Sequence, residues 1–152
     1  MHERLILCGG AKRDSDGPAL RLALTGVAQN ITLRLEDISK AMVRAIPERL
    51  ADLTEIAAYV YCADQAISRG GPAGLGMGTR WRRRFRFIIP VRDADHWSSP
   101  TVVDLLRSTL SFLSDDDYDF EFEKVASPAS FQDYLTLGED SGAAVQLGEK
   151  PE

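Results

Sequence analysis

Arg80-Trp81-Arg82-Arg83-Arg84-Phe85-Arg86-Phe87-Ile88-Ile89-Pro90-Val91-Arg92 alternates basic and apolar side chains over most of its length. Successive side chains of an extended chain point to opposite faces. Trp81, Phe85, Phe87 and Ile89 therefore share one side, and Arg82, Arg84 and Arg86 the other. The stretch predicts a strand with one face in a core and the other in water. Tyr118 to Glu123 repeats the pattern with the opposite charge, setting Tyr118, Phe120 and Phe122 against Asp119, Glu121 and Glu123. One-sided strands of this kind belong to antiparallel sheets covered on a single face. On neighbouring strands the two charged faces would pair as an intramolecular ladder, at ~0.2–1 kcal/mol per contact.

Working outward, Arg4 to Cys8 predicts a first strand. Leu20, Leu22 and Leu24, then Ile31, Leu33 and Leu35, predict two more. The short link Thr25 to Gln29 suggests that these two form a hairpin. From Asp37 the period turns helical, with Asp37 as a cap and Ile38, Met42 and Ala45 on one side. Pro47 suits the first turn of a second helix reaching to about Arg69, with Leu50, Leu53, Ala57, Val60 and Ile67 as its apolar stripe. Gly70 to Gly78 is a loop, and Ser99-Pro100 opens a third helix buried through Val103, Leu106, Leu110 and Leu113. The expected fold is α+β: a mostly antiparallel sheet of about five strands with about three helices packed on one face. One domain is expected over residues 1–125, with 126–152 a weakly ordered tail or linker.

Composition narrows the function without naming it. The 152 residues, 44% hydrophobic and 27% charged, suit one domain with one core. No apolar run approaches the ~20 residues of a membrane span, and no signal peptide is read at the start, so a cytoplasmic protein without a membrane partner is expected. Two cysteines, Cys8 and Cys62, make neither a disulfide framework nor a four-ligand zinc site. A net charge of -5 argues against non-specific nucleic-acid binding by the whole chain.

The polar candidates centre on the second predicted helix. At 100° per residue Asp64 falls between Ala57 and Val60, inside the apolar stripe. A carboxylate in a core costs several kcal/mol unless donors meet it, so a partner is expected among Arg69, Arg83 and Arg92. Arg83 is the arginine on the apolar side of its strand. A structural ion pair outweighs a catalytic acid. With Gln65 and Ser68 adjacent, Asp64, Gln65, Arg69, Arg83 and Arg92 form the candidate binding set, open to a purine-like or nucleotide ligand. No catalytic residue and no metal ligand is assigned. Gly74, Gly76 and Gly78 follow a helix in G-x-G-x-G spacing, which is neither a dinucleotide fingerprint nor a Walker loop. Cys8-Gly9-Gly10 reads as a buried thiol and a turn in preference to a nucleophile. His96-Trp97 with only two histidines in the chain argues against a metal site. The arginine strand keeps a nucleic-acid module open if its charges are unpaired.

Several ordered words of the chain resemble a known family. These are Leu5 with Cys8-Gly9-Gly10, Leu53-Thr54-Glu55-Ile56-Ala57, Tyr61-Cys62-Ala63-Asp64-Gln65, Ser68-Arg69-Gly70-Gly71, Phe85-Arg86-Phe87, Ile89-Pro90-Val91-Arg92, and Phe112-Leu113-Ser114-Asp115-Asp116. Together they look like the N-terminal region of QueC-like, 7-cyano-7-deazaguanine synthase-like proteins of bacterial anti-phage systems, of the QatC type. The resemblance implies a region preceding an ATP-pyrophosphatase-like domain that carries a Ser-Gly-Gly-x-Asp-Ser phosphate loop and binds zinc through cysteines. This sequence has no such loop, and two cysteines do not supply the zinc site. ATP and zinc are thus expected only for that other domain. For this chain the resemblance implies a non-catalytic accessory role, with a QueC-like protein and other defence-system proteins as expected partners.

Overall fold

A computed structural model describes residues 3–11, 17–33, 46–69 and 82–125. Four strands and three helices follow in chain order: β1 Glu3–Cys8, β2 Ala19–Leu22, α1 Glu48–Ala66, β3 Arg84–Val91, α2 Ala94–Trp97, α3 Pro100–Ser114 and β4 Asp117–Lys124. The strands form one sheet in the order β2-β1-β3-β4. Every pairing is parallel, with Ile6 opposite both Leu20 and Phe87, and Phe87 opposite Phe120.

This overturns the expected α+β fold with its mostly antiparallel sheet of about five strands. The molecule is α/β, and the reason lies within β3. Its first half does alternate, Arg84 and Arg86 lying opposite Phe85 and Phe87. Its second half does not, for Phe87, Ile88 and Ile89 are all fully buried. A consecutive apolar run buried on both faces is the mark of a central parallel strand. Leu7 of β1 is likewise buried on the second face, where it packs with Ile88 and Ala11. The alternation reports only that the first half of β3 and one face of the edge strand β4 stay partly solvated.

The expected hairpin over 20–35 also fails, for a local reason. The chain does turn back after β2, with Gln29 N–H on Gly26 C=O at 3.1 Å and Ile31 N–H on Ala23 C=O at 3.0 Å. No second strand forms over the described residues 31–33. Instead the Asn30 amide takes its place: Oδ1 accepts from Ala23 N–H and Nδ2 donates to Arg21 C=O, each at 2.8 Å. One side chain thus satisfies a donor and an acceptor that a partner strand would otherwise meet. The expected helix from Asp37, the glycine loop 70–78, Trp81 and the tail 126–152 lie outside the described residues.

Topology places the helices. The connections β2-α1-β3 and β3-α3-β4 cross the sheet in the same direction, so a common hand puts both helices on one face. There α1 contributes Ile56, Tyr59 and Ala63, and α3 contributes Val102, Leu106 and Leu110. They pack over Ile6, Cys8, Phe85, Phe87, Ile89 and Phe120. Aromatic pairs run along β3 and β4, with centroids 5.4 Å apart for Phe85 and Tyr118 and for Phe87 and Phe120. Both helical stripes differ from expectation. In α1 the buried side is Asp52, Ile56, Tyr59 and Ala63, while Leu50 and Leu53 stay largely exposed. In α3 Val102 replaces Val103, and Leu113 faces solvent. Ser99, the expected cap of α3, makes no capping bond; its hydroxyl donates to His96 C=O at 2.8 Å. No described helix is long and apolar enough to cross a membrane.

Candidate functional site at the carboxyl ends of the strands

In an open parallel sheet, ligands bind outside the carboxyl ends of the strands, where neighbouring connections leave in opposite directions. The order β2-β1-β3-β4 puts that point between β1 and β3. Cys8-Gly9-Gly10-Ala11 leaves β1 here, and Arg92-Asp93 leaves β3.

The β1 side is a tight turn. Gly9 and Gly10 have φ of 57° and 79°, and Ala11 N–H reaches Cys8 C=O at 2.9 Å. Two successive positive φ values favour glycine at both positions. At Gly9 there is also no room, since a Cβ would lie 2.6 Å from Pro90 Cγ and 3.2 Å from the Tyr59 hydroxyl. Backbone, proline ring and phenol therefore fill the crevice between β1 and β3. Burial pushes the Tyr59 hydroxyl well above its ordinary pKa, and Cys8 and Glu55 add to the effect. Burial alone does the same to the Cys8 thiol. A thiol held protonated is no nucleophile at neutral pH.

The β3 side is built on Asp52, whose side chain is fully buried. It accepts from Arg92 N–H at 3.1 Å, Arg92 Nη1 at 2.7 Å, Asp93 N–H at 3.2 Å and Trp97 Nε1 at 3.1 Å. Four donors occupy the ~4 lone-pair sites of a carboxylate, which leaves none to take a proton from a substrate. Arg92 also holds Glu55 at 2.8 Å. Burial acts to lower the Arg92 pKa, but its bonds to Glu55 and Asp52 outweigh this and raise it. Further out, Asp93 accepts from Arg49 Nε at 2.6 Å and from His96 N–H at 3.2 Å, the latter capping α2. The Arg49 guanidinium, then the His96 N–H, hold the Asp93 carboxyl below the usual range.

A second polar cluster sits at the opposite end of the sheet, where α1 ends and β3 and β4 begin. Its centre is Asp116, also fully buried. It accepts from Arg83 N–H at 2.8 Å, Arg83 Nε at 3.1 Å, Arg83 Nη2 at 2.6 Å and Arg69 Nη2 at 2.9 Å. Arg83 Nη2 also pairs with Asp64, and Arg83 Nη1 donates to the carbonyls of Asp64 and Ile67. It thereby caps the last turn of α1, where carbonyls lack helical partners. The Arg83 guanidinium carbon lies 4.8 Å from the Phe85 ring centroid.

The five expected site residues are therefore divided. Asp64, Arg69 and Arg83 meet at the amino end of β3, with Gln65 bonded to Asp64 at 3.2 Å on the exposed side. Arg92 stands at the other end, roughly 30 Å away at the rise of a strand, so these residues do not line one pocket. Asp64 itself flanks the buried stripe, its side chain 37% exposed. Among the described residues the fully buried acids are Asp52 and Asp116, which the sequence reading missed. Asp52 was legible as a member of the Ile56, Tyr59, Ala63 spacing. Asp116, inside an acidic run, carried no such signal.

The arginine face of β3 is engaged too. Arg82 reaches Asp115 at 3.2 Å and Asp117 at 3.7 Å, Arg84 reaches Glu3 at 3.6 Å, and Arg86 reaches Glu121 at 3.2 Å. Among the described residues no group of three or more His, Cys, Asp or Glu is placed to hold a metal ion. No family model, curated protein or solved structure matches the chain.

Proposed function

We propose that this chain is a non-catalytic recognition domain working with a QueC-like enzyme, on the same or another chain, and contacting a protein substrate or partner subunit. The observation that carries this reading is the solvent face of α3. Leu105, Phe112 and Leu113 are 60%, 89% and 72% exposed on a helix whose other side already packs the core through Val102, Leu106 and Leu110. Exposed apolar side chains grouped on one element favour a protein contact. Two further points support binding without turnover. The crevice between β1 and β3 is filled, and the Asp52 carboxylate beside it is saturated by the protein's own donors.

Co-purification tests the reading. The tagged chain, expressed with a 7-cyano-7-deazaguanine synthase-like protein of an anti-phage system, is expected to retain that protein. A Phe112→Asp chain that is folded by circular dichroism is expected to lose it. Absence of a complex, or a complex indifferent to Phe112→Asp and Leu105→Asp alike, would sink the proposal.

A further inference from the structure

With the β1-β3 crevice filled, an open volume at the carboxyl end of the sheet lies one strand over. A cavity of about 370 Å³ is lined by Leu7, Ala11, Leu22 and Ala23, by the turn Gly9-Gly10, and by Arg21, Thr25, Val27 and Ala28 from β2 and the loop after it. That size falls within the ~300–1,000 Å³ of small-molecule sites. The wall is also built in advance. The Asn30 amide fixes the loop to Arg21 and Ala23, and Gly26, at a φ of 86°, closes the turn with Gln29.

Three polar features point to what would fill it. The Arg21 guanidinium has no carboxylate partner among the described residues, in contrast to Arg82, Arg84, Arg86 and Arg107. Gly9 and Ala11 give their N–H groups to Leu22 and Cys8, whereas Gly10 N–H has no acceptor among the described residues. A Cβ placed on Gly10 would meet nothing within 4 Å, so open space adjoins that bare backbone. The Thr25 hydroxyl completes the polar rim. The other described residues of the lining are aliphatic or glycine.

We infer that this cavity binds a small organic monoanion, a carboxylate on a compact apolar body. Its carboxylate lies against Arg21, Gly10 N–H and Thr25, and its hydrocarbon part against Leu7, Ala11, Ala23 and Val27. One guanidinium matches one carboxylate by a paired donor geometry. A nucleotide polyphosphate would call for more cations, a helix N-terminus or a metal ion at the same place, and the described lining supplies one guanidinium. The inference stands apart from the proposed protein partner, since neither α3 nor any second chain takes part in it.

The test is a titration of the ¹⁵N-labelled full chain, followed by amide chemical shifts. The probes are phenylacetate, benzoate and hexanoate, with phenylacetamide as the uncharged control. At least one carboxylate is expected to give saturable shifts confined to Gly9, Gly10, Ala11, Thr25 and Val27, with phenylacetamide weaker by roughly tenfold or more. Arg21→Gln is expected to weaken binding by a similar factor. Ala28→Trp, at an exposed rim position, is expected to block it while leaving the rest of the spectrum native. The inference is overturned if no carboxylate saturates, if phenylacetamide binds as well as phenylacetate, or if binding survives both substitutions.

Discussion

The two ends of β3 solve the same problem with different donors. Each end buries one carboxylate completely, and each carboxylate accepts from four donors. At the amino end three of Asp116's four donors are guanidinium N–H groups, from Arg83 and Arg69, and Asp64 makes the cluster two acids against two bases among the described residues. At the carboxyl end Asp52 takes one guanidinium, two backbone N–H groups and an indole, and Glu55 makes it two acids against one base, Arg92, among the described residues. The amino end is charge-balanced and ties helix to strands. Counted over the described residues, the carboxyl end carries one surplus negative charge, met by dipoles, and ties down the loop that leaves β3. In a parallel sheet that loop is where ligand contacts ordinarily arise. An acidic excess there disfavours an anion beside β3, which accords with the inferred site at Arg21, across β1.

Neutralising each acid separates the two ends. Asp116→Asn takes from Arg83 and Arg69 the carboxylate they share, so guanidinium charge in a buried site loses its common counter-charge. Breaking one side of such a network costs about 3–5 kcal/mol, and urea denaturation is expected to show a loss of that size. Asp52→Asn removes the surplus negative charge and leaves Arg92 paired with Glu55. Its cost comes from an amide nitrogen set against donors, about 1–3 kcal/mol. If Asp52→Asn proves the more damaging of the two, the charge-balance account of this comparison is wrong.

A third substitution asks how firmly the crevice beside Asp52 is closed. Gly9→Ala would force a Cβ to 2.6 Å from Pro90 Cγ at a φ of 57°, combining overpacking with left-handed strain. The expected loss is about 1–3 kcal/mol. Gly10→Ala shares the positive φ but meets open space, so it is expected to cost less. Thermal denaturation of the pair compares close packing against backbone strain alone; equal losses would mean that the crevice is not packed as described.

How much of this was legible in the sequence follows from what each signal measures. Alternation located β3 and β4 and assigned the charged face of β3, because period 2 is a property of one strand. Strand direction is a property of pairs, and the local cue for it was the short run Phe87-Ile88-Ile89, outweighed by the arginines before it. The loop after β2 resembled a hairpin because Asn30 imitates a strand with its side chain. The α1 stripe was set about one position off, since a stripe containing Asp52 scores poorly until its four donors are known. Those donors come from residues 92, 93 and 97, some forty positions away in sequence. Arg83 stood out because it broke an alternation. Its ion pair with Asp64 joins two residues already singled out, while Asp116, the acid it chiefly serves, lay hidden among acidic neighbours.

The smallest expected effect lies at the rim of the carboxyl-end cluster, and its pH dependence fixes its sign. Asp93 is held below its ordinary pKa by Arg49 first and by the His96 N–H second. A carboxyl depressed in the folded protein stabilises it above the unfolded-state value, and this is lost as pH falls through the folded value. Arg49→Met removes the larger cause while leaving the His96 bond. Its Tm deficit relative to the parent chain is therefore expected to be present near neutral pH and to shrink below the ordinary carboxylate range, as Asp93 protonates in both proteins. Because the pair is exposed, added salt is expected to reduce the deficit as well. The buried Asp52 cluster is screened far less, so the Asp52→Asn loss is expected to hold steady under the same salt. A deficit for Arg49→Met that grows on acidification would place Asp93's stabilisation somewhere other than Arg49. The carboxyl end would then no longer divide into a rigid buried hub and a weak solvated rim.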